Sequence, residues 1–487
     1  MKYWFYILLL LTGVVAQGRD MEMTLDEVIA RARVNSVEAA VALDELRTAY
    51  WQWRTYRADL LPEFSLTATA PSYANQYSAY MNSNGEYSFV PNRYLEAQAQ
   101  LKVTQNITLT GGTLSLVSSL DFMRQFGDGA GNRFMTIPIA LTLNQPIFGV
   151  NSLKWNSRIE PVRYAEAKAK FLSATENVAL QAVAHYFNLI LSRENVRTAE
   201  QNLENASRLY AVAKEKRKMG QISENDLLQM ELNELEARAD LTECRSNLRS
   251  NMFTLRAFLD IDDDVDIIPV VPQEVPEVEI NYADALDKAL SNNKFAHNMR
   301  RRQLEADYEV AKAKGNLRQI NLFAQVGYTG TDTQFSDAYT RLRGNQLVEV
   351  GFSIPLVDWG KRRGKVKVAE SNSRVTSSKL RQEAMEFNQE LFVLVERFSN
   401  QQQQLQLALR SNEIARRRYD TNVETYLIGR ISTLDLNDSQ TKKDETMRTY
   451  INELYKYWSY WYQIRSLTLY DFATHGDINA DIARLVK

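Results

Sequence analysis

Residues 426–438 read YLIGRISTLDLND, and this stretch decides how the rest of the chain is organised. Gly429 can adopt the left-handed conformation that commonly ends a helix. Ser432 is a favourable N-cap residue, and Asp435, three positions later, completes a Ser-x-x-Asp capping box. The stretch therefore predicts a tight turn between two long helices.

A second copy of this turn lies earlier in the chain, where residues 219–226 read MGQISEND. At an offset of 209 residues, nine of the 22 positions from 206 to 227 are identical. The residues of the first copy that recur are Ala206, Arg208, Tyr210, Glu215, Gly220, Ile222, Ser223, Asp226 and Leu227. This agreement indicates an internal duplication, so we expect two structural repeats with the same order of elements.

The composition is that of a folded protein with nearly balanced charge. Of 487 residues, 58 are Lys or Arg, 60 are Asp or Glu, and 45% are hydrophobic. Because no strong positive field results, a nucleic-acid partner is not expected. The single cysteine, Cys244, can form no internal disulfide, and the three histidines stand in no metal-ligand or nucleophile motif. We therefore predict no cofactor and no metal, and we do not expect an enzyme.

The first 16 residues have the pattern of a secretory signal peptide. Lys2 precedes a short apolar run, and the small residues Val14 and Ala16 come just before the expected cleavage at Gln17. A buried N-terminal helix is the alternative. Beyond residue 17 no uncharged apolar run reaches the roughly 18 residues that a membrane helix needs. Any membrane-spanning segment is therefore expected to consist of β-strands.

Helical periodicity is the commonest pattern in the chain. It covers about 24–59, 153–219, 221–259 and 433–470. A further helix is predicted to begin within residues 354–363 and to run to 428. Within the long helices, apolar residues follow the 3.5-residue period of a coiled coil. The aromatic cluster Trp458, Tyr460, Trp461 and Tyr462 fits two interpretations, packing in a core or an aromatic belt at a membrane interface.

Alternation with period two marks the remaining regions as strands. Residues 64–70 and 94–148 alternate in the first repeat, whereas the polar residues 73–92 are predicted to form a loop. In the second repeat, strands are predicted at about 321–329 and 346–355. The pattern is typical of membrane β-strands, but a soluble sheet with one wet face produces the same alternation.

The N-terminal pattern, the duplicated order of helices and strands, and the paired Gly-x-Ile-Ser-x-x-Asp turns together resemble the TolC family of outer-membrane efflux proteins. The resemblance covers about residues 22–472. It implies a mixed α/β membrane protein, with long antiparallel coiled-coil helices and β-strands that three protomers contribute to one shared transmembrane β-barrel. The chain then divides into a signal peptide (1–16), a first repeat (17–268), a Pro-rich linker (269–281), a second repeat (282–472) and a C-terminal tail (473–487).

The number of strands constrains the assembly. Membrane barrels have at least about eight strands, and an open sheet edge in lipid leaves backbone groups unpaired. Membrane-embedded strands would therefore require several copies of the chain, and a trimer with four strands from each copy would supply 12. The strand region of the first repeat is longer by about 47 residues, so an extra hairpin around Gly111 and Gly112 is possible.

The resemblance also implies a narrow periplasmic end beside the two turns. By position, the family's aperture tyrosine and aspartates fall on Tyr426, Asp435, Asp438 and Asp226. The family's arginine position falls on Ile431, with Arg430 next to it. Asp435 and Asp438 share a helix face, so a trimer would bring six carboxylates into a cation-attracting ring. Alternatively, Asp435 and Asp226 act only as capping residues.

The resemblance gives the expected function, location and partners. It implies a trimeric outer-membrane channel-tunnel, a passive exit duct of a tripartite efflux or type I secretion system that extends into the periplasm. Expected partners are two further copies of the chain, outer-membrane lipid, a periplasmic adaptor (membrane fusion) protein and an inner-membrane transporter. The adaptor would contact the turns at Gly220, Ile222, Ser223, Gly429, Ile431 and Ser432. The alternative is a non-conducting periplasmic coiled-coil scaffold.

Overall fold

The computed structural model describes residues 19–81, 83, 85–127, 130–272, 275–317, 320–352, 357–427, 430–431 and 433–486. The predicted signal peptide, Gly429 and Ser432 lie outside the described residues, and so does the side chain of Tyr426. Among the helices that are described, none carries an apolar stretch long enough to cross a membrane.

The elements follow one another in an order that repeats. The helices are α1 (Leu25–Asn35), α2 (Val37–Ala58), α3 (Ser152–Lys218), α4 (Glu224–Leu259), α5 (Tyr282–Asn292), α6 (Lys294–Gly315), α7 (Phe335–Thr340), α8 (Lys361–Leu427), α9 (Thr433–Thr468) and α10 (Ile482–Leu485). The strands are β1 (Arg19–Met23), β2 (Glu63–Met81), β3 (Tyr87–Ile107), β4 (Gly112–Phe126), β5 (Gly131–Pro146), β6 (Val265–Pro269), β7 (Ile320–Asp332), β8 (Leu342–Phe352), β9 (Tyr470–Asp471) and β10 (Gly476–Asp477).

Matched helix lengths confirm the internal duplication. The helices α3 and α8 both contain 67 residues, and α4 and α9 both contain 36. Likewise α1 and α5 both contain 11 residues, and α2 and α6 both contain 22. The first residues of α3 and α8, Ser152 and Lys361, are 209 positions apart, as are Glu224 and Thr433 of α4 and α9. This is the offset that relates the two turns.

The prediction of one continuous helix over 24–59 is wrong at Ser36, where α1 ends and α2 begins. The Ser36 backbone is extended, which ends α1. Its hydroxyl accepts a hydrogen bond from the Ala39 amide at 3.2 Å, which caps α2. Asn293 does the same between α5 and α6, because its side-chain oxygen accepts from the Phe295 amide at 2.8 Å. A single polar residue therefore bends the chain at the same place in both repeats.

Of the described residues, 19–47, 167–272, 275–296, 385–427, 430–431 and 433–486 belong to one of two compact units, which therefore contains parts of both repeats. Strand β1 pairs with β6 in parallel across more than 200 residues of sequence. The Tyr186 hydroxyl ties this pair to α3, donating to the backbone oxygens of Met23 at 2.9 Å or Val270 at 2.6 Å. Buried Glu176 accepts hydrogen bonds from Arg33 at 2.5 Å and Arg465 at 2.8 Å.

The aromatic cluster near the end of α9 belongs to the core of this unit. Trp458, Trp461 and Tyr462 are all buried, with less than a tenth of each residue exposed. The Trp458 ring stacks on that of Tyr462, and the centre of the Trp461 ring lies 5.9 Å from that of Phe398 of α8. The core interpretation is confirmed, and the membrane-belt interpretation of these residues is wrong.

The other unit, Thr48–Glu166 and His297–Ala384, contains a six-stranded antiparallel sheet. Its strand order is β2-β3-β4-β5-β7-β8, so the first repeat supplies four strands and the second supplies two. The predicted loop over 73–92 is wrong, because β2 continues to Met81 and β3 begins at Tyr87. The segment is polar in composition because serine, asparagine and glutamine are interspersed with aromatic residues along two paired strands.

Candidate functional site

The register of the sheet separates an apolar face from a polar face. One row of paired residues runs through Phe64, Val103, Leu116, Leu141 and Val326 on five successive strands. The next row on the opposite face runs through Glu63, Thr104, Ser115, Thr142 and Gln325. Side chains of successive residues point to opposite faces of a strand, so the alternation found in the sequence is carried across the sheet in register.

Exposure of the apolar face is the reverse of what a soluble sheet shows. On the apolar face, Phe64 is 74% exposed, Leu141 47% and Val326 55%. On the polar face, Ser115 and Ser119 are buried, at 7% and 4%. A soluble antiparallel sheet packs its apolar face on a core and exposes its polar face to water. The opposite arrangement is that of a membrane strand, with apolar side chains directed outward.

The first turn, between α3 and α4, has the geometry that its sequence predicts. Gly220 has a φ of +74°, which only glycine adopts without strain. Its amide donates to Arg217 O and the next amide, of Gln221, donates to Lys216 O, both at 2.9 Å. This pair of bonds is the Schellman motif that ends helices. The Arg217 guanidinium also donates to Ile222 O at 3.2 Å.

Asp226 forms the capping box that its sequence predicts. The Asp226 carboxylate accepts hydrogen bonds from the Ser223 hydroxyl at 2.7 Å and the Ser223 amide at 3.0 Å. In return, the Asp226 amide donates to the Ser223 hydroxyl at 3.1 Å, which completes the capping box. These two bonds from Ser223 lower the pKa of the Asp226 carboxyl below its usual value.

One backbone hydrogen bond of the first turn has an equivalent in the second turn. The Arg430 amide donates to Thr425 O at 3.1 Å, at the positions equivalent to Gln221 and Lys216. Arg430 is exposed and Ile431 is half-buried, as Ile222 is in the first turn. Asp435 lies exposed in the first turn of α9, where a carboxylate also interacts favourably with the helix dipole.

Asp438 has a partner that the sequence did not reveal. Its carboxylate accepts a hydrogen bond from the Arg418 guanidinium of α8 at 2.7 Å, and both side chains are at least half exposed. The two residues are 20 positions apart. They face each other only because α8 and α9 fold back on one another at the turn. The pairing of residues equidistant from the turn is the one sequence signal that could have identified Arg418.

Polar side chains connect the two repeats above the turns. Asn205 of α3 donates to the Tyr419 hydroxyl of α8 at 3.0 Å, and burial raises the pKa of that hydroxyl. The Lys443 ammonium of α9 lies 4.3 Å from the centre of the Tyr419 ring. A cleft of about 420 Å³ beside them is lined mainly by amides and small side chains, among them Asn202, Asn233, Asn437 and Gln440. Polar side chains therefore make up much of the helix packing at this end.

The family model described as outer membrane efflux protein matches residues 28–259 and 285–468, which is most of the chain. The chain belongs to the outer membrane efflux protein family. This confirms the resemblance to the TolC family, and it places the protein at the outer membrane as a member of an efflux family. The two matched segments correspond to the two copies of the repeat.

Solved structures of outer membrane channels share the fold of this family member. The Campylobacter jejuni CmeC outer membrane channel aligns with a TM-score of 0.65 at 18% identity, over 94% of this chain and 88% of that one. VceC from Vibrio cholerae aligns with a TM-score of 0.63 at 13% identity, over 93% and 97%. Neisseria gonorrhoeae MtrE, solved in its open state, aligns with a TM-score of 0.59 at 13% identity, over 94% of this chain and 90% of that one. No curated protein sequence matches the chain.

Proposed function

We propose that three copies of the chain form a channel-tunnel, the passive exit duct of a tripartite efflux or type I secretion system. The observation that carries this proposal is the sheet whose apolar face is exposed and whose opposite, polar face includes the buried Ser115 and Ser119. A surface of this kind is stable against lipid outside and water inside, which is the environment of a pore wall. Family membership supports the same proposal.

A single copy exposes surfaces that assembly would cover. The outer strands β2 and β8 have one strand partner each within the described sheet. Along α4, Leu228, Leu232 and Leu235 are 57%, 48% and 55% exposed at helical spacing. Contiguous exposed apolar surface on a folded chain marks an interaction site. We propose that neighbouring copies cover these surfaces in a homotrimer.

At the periplasmic end, the proposed aperture is formed by Asp435 and Asp438 from each copy. Both carboxylates are exposed in the first turns of α9. Arg418 holds Asp438 in place within its own chain. Asp226 serves as a helix cap beside the aperture. The exposed turns at Gly220 and Arg430 are the proposed contacts for a periplasmic adaptor, which an inner-membrane transporter would accompany and energise.

Single-channel recording in planar bilayers tests this proposal. Purified wild-type protein is expected to give steady, cation-selective steps that trivalent cations block from the periplasmic side. Asp438→Asn should weaken the block by at least tenfold, since it removes three of six carboxylates. The control is Asp263→Asn, which removes an exposed carboxylate from a loop distant in sequence from both turns; the block should not change.

Each outcome separates the duct from the aperture. Conductance with a block that Asp438→Asn leaves unchanged would retain the duct and discard the aspartate ring. Absence of conductance from a verified folded trimer would contradict the duct and favour the periplasmic scaffold.

A further inference from the structure

The two repeats differ by one insertion, and its size can be measured from the helices. From α1 to α5 and from α2 to α6 the offset is 257 positions, as for Leu25 and Tyr282. From α3 to α8 the offset is 209. The first repeat therefore contains 48 more residues between α2 and α3 than the second has between α6 and α8. At the 257 offset Glu63, the first residue of β2, corresponds to Ile320, the first residue of β7.

The inserted residues form the hairpin of β3 and β4. Strand β2 corresponds to β7, as above, and β5 precedes α3 as β8 precedes α8. The inserted hairpin pairs with β2 on one side and with β5 on the other, and each of these two pairings contains one register shift. It therefore occupies the middle of the sheet.

Side chains hold the inserted hairpin to the helices at its base. Gly111, with a φ of +78°, packs against Asn151 at the start of α3. The Asn151 amide donates to Thr108 O at 2.9 Å or Leu109 O at 3.1 Å. On the other side, the Asn106 amide donates to Asp59 O at 2.9 Å, just after α2. The hairpin is thus fixed between the end of α2 and the start of α3.

The two edge strands of the six-stranded sheet, β2 and β8, have the directions that antiparallel pairing between copies requires. Because every neighbouring pair is antiparallel and the number of strands is even, β2 and β8 run in opposite directions. Placed side by side in adjacent copies related by rotation, they would continue the antiparallel pattern. Neither edge can stay open in a bilayer, where unpaired backbone groups have no water to bind. Six strands are also fewer than the smallest membrane barrels contain.

We infer that β8 of one copy pairs with β2 of the next, so that three copies close a wall of 18 strands with the inserted hairpin as part of it. This inference rests on the proposed trimer. It departs from the 12 strands that four per copy would give. Barrels of about 16 to 18 strands enclose an open aqueous channel, so the extra hairpin widens the pore.

Disulfide cross-linking in outer membranes tests the closure. In a Cys244→Ser background, Thr67→Cys on the polar face of β2 is combined in turn with cysteine at Arg343, Asn345, Leu347 or Glu349 on the polar face of β8. One or two of these pairs should give a reducible ladder of dimers and trimers. The matched control combines Asp121→Cys on the central strand β4 with the same β8 cysteines, and it should give none.

A second pair of cysteines tests whether the inserted hairpin is part of the 18-strand wall. Thr67 and Gln100 are direct partners on β2 and β3, so Thr67→Cys with Gln100→Cys should form an intrachain disulfide in the native trimer. Trimers without any β2–β8 cross-link, or without the Thr67–Gln100 bond, would overturn the 18-strand wall and leave the duct intact. Failure to find any trimer would contradict the proposed function and the inference together.

Discussion

The Asp226 carboxylate fixes the start of the long helix α4. It accepts two hydrogen bonds from Ser223, and these bonds favour its charged form. A group whose pKa is lower in the folded state contributes stability that is present above its unfolded pKa. For an aspartate that value is about 3.9. The contribution is lost as the pH falls below it and through the lower folded value.

The start of α4 should therefore loosen in acid because of this residue. In wild type, hydrogen-exchange protection of the amides at 224–228 is expected to fall severalfold between pH 6 and pH 3, after correction for intrinsic rates. In Asp226→Asn, protection should already be reduced at pH 6 and should change little with pH. Glu231→Gln, an exposed carboxylate further along α4, serves as the control and should behave like wild type. Equal pH dependence in wild type and Asp226→Asn would contradict the assignment.

Residue-level roles could be predicted where the partners are close in sequence. The box of Ser223 and Asp226 and the left-handed Gly220 follow from patterns within four residues. The pairing of Asp438 with Arg418 could not be predicted in this way, because it depends on how α8 and α9 align after the turn. For the same reason the contact of Asn205 with Tyr419, more than 200 residues apart, had no local signal.

At the scale of elements, Asn151 joins a helix to a strand hairpin. Its side-chain oxygen accepts from the Lys154 amide at 2.9 Å, which caps α3, while its amide group donates to the turn before β4. The two functions belong to different atoms of one side chain. Substitutions can therefore separate them.

Replacement of Asn151 tests whether this contact stabilises the hairpin. Asn151→Ala removes both functions and should destabilise the protein by about 1–2 kcal/mol. Asn151→Asp retains the capping oxygen but removes the amide donor, so its effect should be smaller. Limited proteolysis should show faster cleavage at residues 108–111 in both variants. Unchanged cleavage in Asn151→Asp would show that only the cap matters.

The ends of the long helices were predictable from sequence to within a few residues, because caps and periodicity are local, but the break at Ser36 between α1 and α2 was missed. The prediction for 153–219 agrees with the observed Ser152–Lys218. Strand boundaries were less so: the segment 73–92 looks like a loop in composition, and only its pairing partners reveal it as β2 and β3. The parallel pair of β1 and β6 was missed because no local pattern indicates a partner so distant in sequence. The segment boundaries at 268 and 282 stay predictions.

At the scale of the whole molecule, assembly is the step that the exposed apolar surface requires. Leu228, Leu232 and Leu235 lie on one stripe of α4, and each is about half exposed in a single copy. Full burial of a leucine side chain contributes about 1.5–3 kcal/mol. In a trimer each copy would contribute such a stripe, so covering the three stripes would stabilise the assembly substantially.

The combined variant Leu228→Glu, Leu232→Glu and Leu235→Glu should therefore dissociate the trimer. We expect monomers by mass photometry in detergent at concentrations where wild type is trimeric, with helix content unchanged by circular dichroism because the substituted positions face outward. The control, Ser246→Glu, Asn247→Glu and Ser250→Glu, adds the same three charges at exposed positions of the same helix and spares the leucines. A trimer that survives the leucine substitutions with unchanged heat stability would show that α4 is not an interface, and would leave the sheet edges as the principal contact between copies.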